Sequence, residues 1–196
     1  MEVKEPAPKY FPKMSPSEFL EWEREQELKH EYVNGEVLAM SGASLNHNKI
    51  VSNIVGNTWS YLKDKPCDIF GSDLRISVKW NYSYFYPDAT IICDEPEFDD
   101  EKIKDTLKNP TVIFEILSAS TEDFDMGRKQ MYYMQIPSLK QYILIDSKKI
   151  LIRVISKKAE AGTWKFEELN SIDAILLIEP INFQLTVPEL YRGVKF

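Results

Sequence analysis

The most constraining feature of the sequence is an apolar segment, a helical segment and a second apolar segment in direct succession. The apolar segments, "TVIFEILS" at 111–118 and "QYILID" at 141–146, are typical of strands. Residues 125–136 between them have helical spacing, and Pro137 ends the helix. A strand, a helix and a strand in this order predict a right-handed crossover between parallel strands of one sheet.

Helix and turn signals predict the elements that precede this unit. Ser15 and Glu18 form a capping box around Pro16, which predicts a helix ending near Gln26. The stretch at 29–40 is a predicted hairpin with Asn34-Gly35 as its turn. Apolar residues recur at spacings of three and four between Ile50 and Leu62, and they predict an amphipathic helix over about 47–64.

Short apolar runs in the rest of the chain predict further strands. Two runs, at 68–80 and 83–93, flank a turn at Asn81-Tyr82, and residues 95–105 form an acidic loop that we expect at the solvated surface. The runs after residue 149 predict antiparallel strands that close the same sheet. The predicted class is therefore an α/β fold with a mixed central sheet flanked by helices and extended by extra antiparallel strands.

Two carboxylates interrupt apolar strands. Asp88 follows Pro87 at the start of a strand, where turn hydrogen bonds alone would satisfy it. Glu115 lies inside a strand with two apolar faces, so it requires a salt bridge, a proton or a cation. Two such acids on neighbouring strands suit Mg²⁺, which takes one or two carboxylates and completes its shell with water and substrate phosphate.

A lysine and a third acid could complete such a site. Asp125, Lys129 and Tyr133 are spaced four residues apart, so they form one helical stripe from which Lys129 could stabilise charge on a phosphate. An ordinary Asp–Lys helix pair would explain the same spacing. Glu31 in the hairpin is a further candidate, with Glu36 as its substitute, and either could equally be an exposed strand charge.

These residues resemble the core of the PD-(D/E)XK nuclease superfamily and, within it, a bacterial restriction endonuclease family that is abundant in cyanobacteria. The resemblance extends from about residue 14 to residue 190. It implies a restriction-endonuclease-like fold, a Mg²⁺ or Mn²⁺ cofactor, and hydrolysis of phosphodiester bonds in DNA. Four passages carry it: "HEYVNGEV" at 30–37, "YPDATIIC" at 86–93, "FEILSASTEDFDMGRKQMYY" at 114–133 and "PSLKQYILID" at 137–146.

The resemblance also implies roles for individual residues. Asp88 and Glu115 become metal ligands and catalytic residues, and Glu31 becomes an accessory catalytic acid. The superfamily pattern has a lysine two residues after the second acid, where this chain has Leu117. The catalytic role of that lysine therefore passes to Lys129 on the following helix.

Two further hypotheses come from other features. His47 matches a family position, and we expect it to make a hydrogen bond at the start of its helix. The "NHN" at 46–48 could belong to a ββα-metal nuclease, but it begins a helix and no second metal histidine follows. A nuclease fold that binds nucleic acid or assembles with proteins without catalysis is the main alternative, which the acidic charge and the displaced lysine favour.

Length and charge limit the organisation and the partners. The 196 residues suggest an extended arm at 1–14 and a single domain at 15–196. A net charge of −7 argues against a broad basic surface for nucleic acid, but it allows a local site where a metal offsets the acids. Restriction-type enzymes commonly dimerise, and closed symmetry is usual, so we expect a two-fold homodimer through the arm and the C-terminal strands.

The sequence also allows predictions about cellular location and about the state of the cysteines. The N-terminus has no apolar signal region, and no run approaches the roughly 20 apolar residues of a membrane helix, so we expect a cytoplasmic protein. Cys67 and Cys93 are too few for a disulfide framework. Both fall in strand-like runs, and we expect two reduced, packed thiols.

Overall fold

The computed structural model describes residues 11–40, 42–118, 122–160 and 162–196, with Asp123 described by its backbone alone. Residues 1–10 of the expected arm lie outside this part of the chain. The first elements are helix α1 (Pro16–Glu23), strands β1 (His30–Val33) and β2 (Glu36–Ala39), and helix α2 (Leu45–Leu62). The strands that follow are β3 (Asp68–Gly71), β4 (Arg75–Val78), β5 (Ser83–Phe85), β6 (Ala89–Ile92), β7 (Thr106–Leu107) and β8 (Val112–Leu117).

A composite helix follows β8. It consists of α3 (Glu122–Phe124), a π-helical turn (Asp125–Lys129) and α4 (Gln130–Tyr133). The second half of the chain contains β9 (Gln141–Asp146), β10 (Ile152–Lys157), β11 (Trp164–Leu169), β12 (Ile175–Ile178), a 3-10 turn (Glu179–Ile181), β13 (Phe183–Thr186) and α5 (Val187–Leu190). Among the described residues, no helix is both long enough and apolar enough to cross a lipid bilayer.

The central sheet of the described residues has six strands in the order β11-β10-β9-β8-β6-β3. Strands β8 and β9 pair in parallel, with Glu115 opposite Leu144, and the other pairs are antiparallel. The predicted parallel crossover and the mixed α/β sheet flanked by helices are therefore confirmed. Every residue of β8 is buried, because α2 covers one face and the composite helix covers the other.

A second sheet, which the sequence does not predict, has five strands in the order β2-β1-β5-β4-β7. The two predicted strand runs each divide between the sheets. The run at 83–93 divides at Tyr86 and Pro87, since proline has no N–H to continue a ladder. The expectation that all C-terminal strands close one sheet is also wrong, because β12 and β13 pair only with each other and bury Leu176 and Leu185 in the core.

Local signals predicted the start of α1 and the hairpin turn correctly, and the other helix bounds to within two or three residues. The capping box of Ser15 and Glu18 is present, but α1 ends three residues before the predicted Gln26. The hairpin turns at Asn34 and Gly35, both of which have positive φ, as the Asn-Gly pair predicts. Helix α2 covers 45–62 rather than 47–64.

The two cysteines are not free thiols, so that expectation is wrong. Cys67 and Cys93 form a disulfide. They immediately precede β3 and follow β6, and Asp68 is paired with Ile92 in the antiparallel ladder between these strands. The register therefore places the cysteines opposite each other, which residue spacing alone does not reveal.

The acidic loop contains one residue that is not simply solvated. Asp105 bridges Arg24 of α1 and Arg75 of β4, each at 2.8 Å. Burial on its own would raise the pKa of Asp105, but the hydrogen bond from Arg24 and the charge of Arg75 outweigh it and lower the pKa to about 2.

The lowered pKa of Asp105 predicts an effect in acid. A carboxylate with a depressed pKa stabilises the folded state above its unfolded pKa of 3.8, and this stabilisation is lost as pH falls towards about 2. Asp105→Asn should therefore lower the free energy of unfolding at neutral pH and reduce its decline between pH 4 and 2. Urea titrations across this pH range would measure both, and an unchanged acid dependence would contradict the ion-pair assignment.

Candidate metal and catalytic site

The two acids singled out in the sequence lie on neighbouring strands. Ala89 of β6 pairs with Phe114 of β8, so Asp88 precedes β6 opposite Glu115. The N–H of Asp88 donates to the Phe114 carbonyl at 3.1 Å. The antiparallel pairing of β6 and β8 thus extends to Asp88, which lies near the C-terminal end of β8.

The Asp88 side chain accepts a hydrogen bond that a backbone carbonyl would otherwise accept in the ladder. Its Oδ2 atom accepts the N–H of Ile116 at 2.7 Å. Pro87 precedes it, and the strand pairing ends there, so the carboxylate satisfies a backbone donor on β8. This fixes Asp88 against the strand that carries Glu115.

His47 contacts the other oxygen of Asp88. It lies in the first turn of α2, and its N–H donates to the N-cap Ser44 Oγ at 3.2 Å, which is the expected helix-start hydrogen bond. Its ring Nε2 is 3.1 Å from Asp88 Oδ1, and its buried Nδ1 has no hydrogen-bond partner within the part of the chain that the structure describes. No sequence signal indicates that His47 reaches Asp88, because that contact depends on how α2 docks against the sheet.

Lys129 lies among three carboxylates. Its Nζ atom is 2.7 Å from Glu31 Oε1 and 2.8 Å from Glu115 Oε1. Asp125 Oδ1 is 3.5 Å from the same ammonium. We call these four residues the acid–lysine cluster, and each has a side chain at most 9% exposed.

The composite helix delivers both Asp125 and Lys129. The stripe of Asp125, Lys129 and Tyr133 is buried, as the four-residue spacing predicts. The π-helical turn spans the first two members, although the sequence predicts a regular helix starting at Asp125 and ending at 136. Such turns are rare and often occur at functional sites.

Two tyrosines complete the surroundings of Glu115 and Asp125. The Tyr133 hydroxyl donates to Glu115 Oε1 at 3.1 Å, and the Tyr142 hydroxyl donates to the Asp125 carbonyl at 3.1 Å. Burial raises the pKa of both phenols well above the ordinary value, and the charge of Glu115 adds to the effect. Both are therefore neutral donors at physiological pH.

Glu31 also accepts a backbone hydrogen bond. The Tyr86 N–H donates to Glu31 Oε1 at 3.3 Å, which links β1 to the segment that leads into Asp88. Glu36 is exposed on the neighbouring strand and takes no part in the cluster. Glu31 is thus the hairpin acid that the fold brings to this site.

The acid–lysine cluster places three carboxyl groups around one ammonium. Burial raises the pKa of Glu115 well above its usual value and also raises that of Glu31, and Lys129 only partly offsets these shifts. Burial on its own would lower the pKa of Lys129, but the carboxylates of Glu115, Glu31 and Asp125 outweigh it and raise that pKa well above its usual value. Lys129 is therefore charged, and its ammonium is the common partner of the three carboxyl groups.

The donor set suits a hard divalent cation. Across the described ranges, no three His, Cys, Asp or Glu side chains already converge as metal ligands. Glu31 and Glu115 do not converge on a common point as metal ligands, because the ammonium of Lys129 lies between them. Mg²⁺ needs only one or two protein carboxylates when water and phosphate complete its shell, and Asp88 and Glu115 are two carboxylates on neighbouring strands.

Comparison of the sequence with known proteins identifies a family and two relatives. The family model described as "Putative restriction endonuclease", Uma2, matches residues 16–188. The chain is 34% identical over 186 residues to the uncharacterized protein slr1290 of Synechocystis, covering 95% of each chain. It is also 37% identical over 133 residues to the uncharacterized protein sll1609 of the same organism, covering 68% of this chain and 75% of the relative.

A solved structure shares the fold. The crystal structure of a putative nuclease belonging to DUF820 from Anabaena variabilis superimposes with a TM-score of 0.77 at 19% identity, covering 93% of this chain and 99% of the other. The similarity in fold thus extends over nearly the whole length of both chains. With the family model matching from α1 to α5, the chain belongs to the Uma2 family of bacterial restriction-endonuclease-like proteins.

Proposed function

We propose that the protein is a metal-dependent DNA endonuclease that hydrolyses phosphodiester bonds at the site formed by Asp88, Glu115, Glu31 and Lys129. The observation that carries this proposal is the burial of three carboxyl groups around the single ammonium of Lys129. Buried carboxylates are costly unless they are neutralised. A divalent cation held beside these groups would supply positive charge to them and would also neutralise charge on a substrate phosphate.

Each protein group has a distinct role in the proposed reaction. Asp88 and Glu115 would hold the cation, and Glu115 has its Oε2 atom for this, because Lys129 and Tyr133 both contact Oε1. A bound Mg²⁺ or Mn²⁺ supplies a more acidic water and neutralises charge on the scissile phosphate. Lys129 would stabilise the negative charge that develops on the phosphate, and Glu31 would orient Lys129 through the 2.7 Å contact.

The direct test is cleavage of plasmid and single-stranded DNA with Mg²⁺ or Mn²⁺, compared with EDTA. We expect nicked or linear products only with metal. The matched control is Glu36→Gln, which removes an exposed acid next to the hairpin turn and should cut like the parent. Products that persist in EDTA, or none with either metal and both substrates, would contradict the proposal.

A catalytically inactive nuclease fold is the second candidate. Leu117 is buried where the superfamily pattern has lysine, and Lys129 is 3% exposed and paired with two acids. A lysine held in this way could be purely structural. The cleavage test separates the two functions, because an inactive binder would retain DNA without cutting it.

We also propose that the chain acts as a two-fold homodimer, since cutting both strands of a duplex requires two sites. The expected contacts are the 1–14 arm and the C-terminal strands. Phe166 on the edge strand β11 and Ile175 on β12 are large apolar side chains 61% and 49% exposed. Sedimentation that finds only monomer at micromolar concentration would contradict this.

A further inference from the structure

A group of cationic side chains lies beside the candidate site. Lys148, Lys149, Arg192 and Lys195 are exposed, and Lys49 is partly exposed. We call these five residues the basic rim. They come from three separate parts of the chain: the first turns of α2, the turn between β9 and β10, and the C-terminal segment after α5.

Specific contacts hold these three parts together. The Asn46 side chain donates to the carbonyls of Ser147 at 3.3 Å and Lys195 at 2.8 Å, and its Oδ1 accepts the Lys195 N–H at 3.4 Å. Lys49 donates to the Gly193 carbonyl. The five cations therefore belong to one fixed surface.

The basic rim adjoins the acids of the candidate site. Asn46 is next in sequence to His47, whose ring contacts Asp88. Ser147 Oγ donates at 2.7 Å to the carbonyl of Leu117, which lies two residues beyond Glu115 on β8. Both connections join the rim to the strand ends that carry the two acids.

Two acids beside the rim make contacts of their own. Asp146 is 5% exposed, accepts the Lys148 N–H at 2.7 Å and has its Oδ2 3.9 Å from Lys149 Nζ. Glu189 accepts the hydroxyl of Thr186 at 2.6 Å in the cap of α5. With five cationic side chains against these two acids, the rim is a local cationic surface in a chain whose net charge is −7.

We infer that the basic rim is the surface that binds the phosphate backbone of duplex DNA and directs it to the candidate site. The inference rests on the proposed function. An acidic metal site alone repels a polyanion, whereas fixed lysines displace counterions from the duplex and give binding that weakens as salt rises. The strand supported by the rim would then pass the ends of β6 and β8.

The test measures binding separately from cleavage. A short fluorescein-labelled duplex is titrated in EDTA with the parent and with the variant Lys148→Ala/Lys149→Ala/Lys195→Ala at several salt concentrations, using fluorescence anisotropy. The matched control is Lys140→Ala/Lys158→Ala, because these exposed lysines flank the opposite ends of β9 and β10. Lys49 is left in place because it supports the C-terminal segment.

We expect the triple variant to bind at least about tenfold more weakly near 0.1 M salt, with the slope of log K against log salt reduced by roughly 2–3. The control should match the parent. Parent-like binding by the triple variant, or tighter parent binding to duplex RNA, overturns the inference. Rim-dependent binding without metal-dependent cleavage supports the inference and refutes the proposed activity, whereas a parent that binds no duplex in EDTA but cuts DNA with metal refutes the inference alone.

Discussion

Lys129→Ala should abolish metal-dependent DNA cleavage and also weaken the fold. The ammonium contacts Glu31 and Glu115 at 2.7 and 2.8 Å, and its removal leaves buried carboxylates without a cation. Breaking a buried ion pair in this way typically costs about 3–5 kcal/mol. Sequence alone suggests a mild effect, because a helix tolerates alanine well, but burial reverses that expectation. Cleavage rates and urea titrations measure the two effects.

The loss of activity must be separated from the loss of stability. Lys129→Met retains most of the side-chain volume without the charge, and Arg128→Ala changes the exposed neighbour on the same helix as a control. Lys129→Arg should restore activity only in part, because a planar guanidinium differs in reach and hydration from an ammonium. If a folded Lys129→Ala protein cuts as fast as the parent at saturating Mg²⁺, the lysine has no catalytic role.

Glu115→Gln should abolish cleavage while leaving the metal-free fold at least as stable as the parent near neutral pH. Burial raises the pKa of the Glu115 carboxyl, so this group lowers the stability of the fold as pH rises above its unfolded pKa of 4.5. Glutamine removes that charge and retains an acceptor for Tyr133. The free energy of unfolding should therefore decline less with rising pH in the variant than in the parent.

Metal binding gives an independent measurement for the same variant. A ligand that binds only the folded state stabilises it by about 2.7 kcal/mol at 100 times its Kd. Mg²⁺ should therefore raise the melting temperature of the parent but not that of Glu115→Gln or Asp88→Asn. Equal Mg²⁺ stabilisation of all three proteins would remove both acids from the metal site.

The elements that the sequence predicted well are those defined by local chemistry. The capping box at Ser15 and the Asn34-Gly35 turn depend on neighbouring residues, and both are present. The burial of both faces of β8 follows from its continuous apolar composition, and this is why Glu115 stood out. The stripe from Asp125 to Tyr133 needed only helical periodicity.

The parts that could not be predicted depend on register and docking. The disulfide requires that Cys67 and Cys93 lie opposite each other, and the His47–Asp88 contact requires the position of α2 on the sheet. The separation into two sheets depends on where each long apolar run breaks. These properties arise from contacts between residues far apart in the chain, which periodicity does not describe.

The π-helical turn at Asp125–Lys129 has a consequence for how members of such a family can diverge. Its hydrogen bonds run from i to i+5, so the turn holds one residue more than a regular helical turn. Deleting one residue within it, such as the exposed Gly127, would let the helix become regular and rotate everything before the deletion relative to α4. The angle between Asp125 and Lys129 around the helix axis would then change, although every acid and the lysine remained in the sequence. The orientation of these side chains around the helix thus depends on the number of residues in the turn as well as on their identity. We therefore expect that relatives with a one-residue gap at this position differ in the geometry of the site.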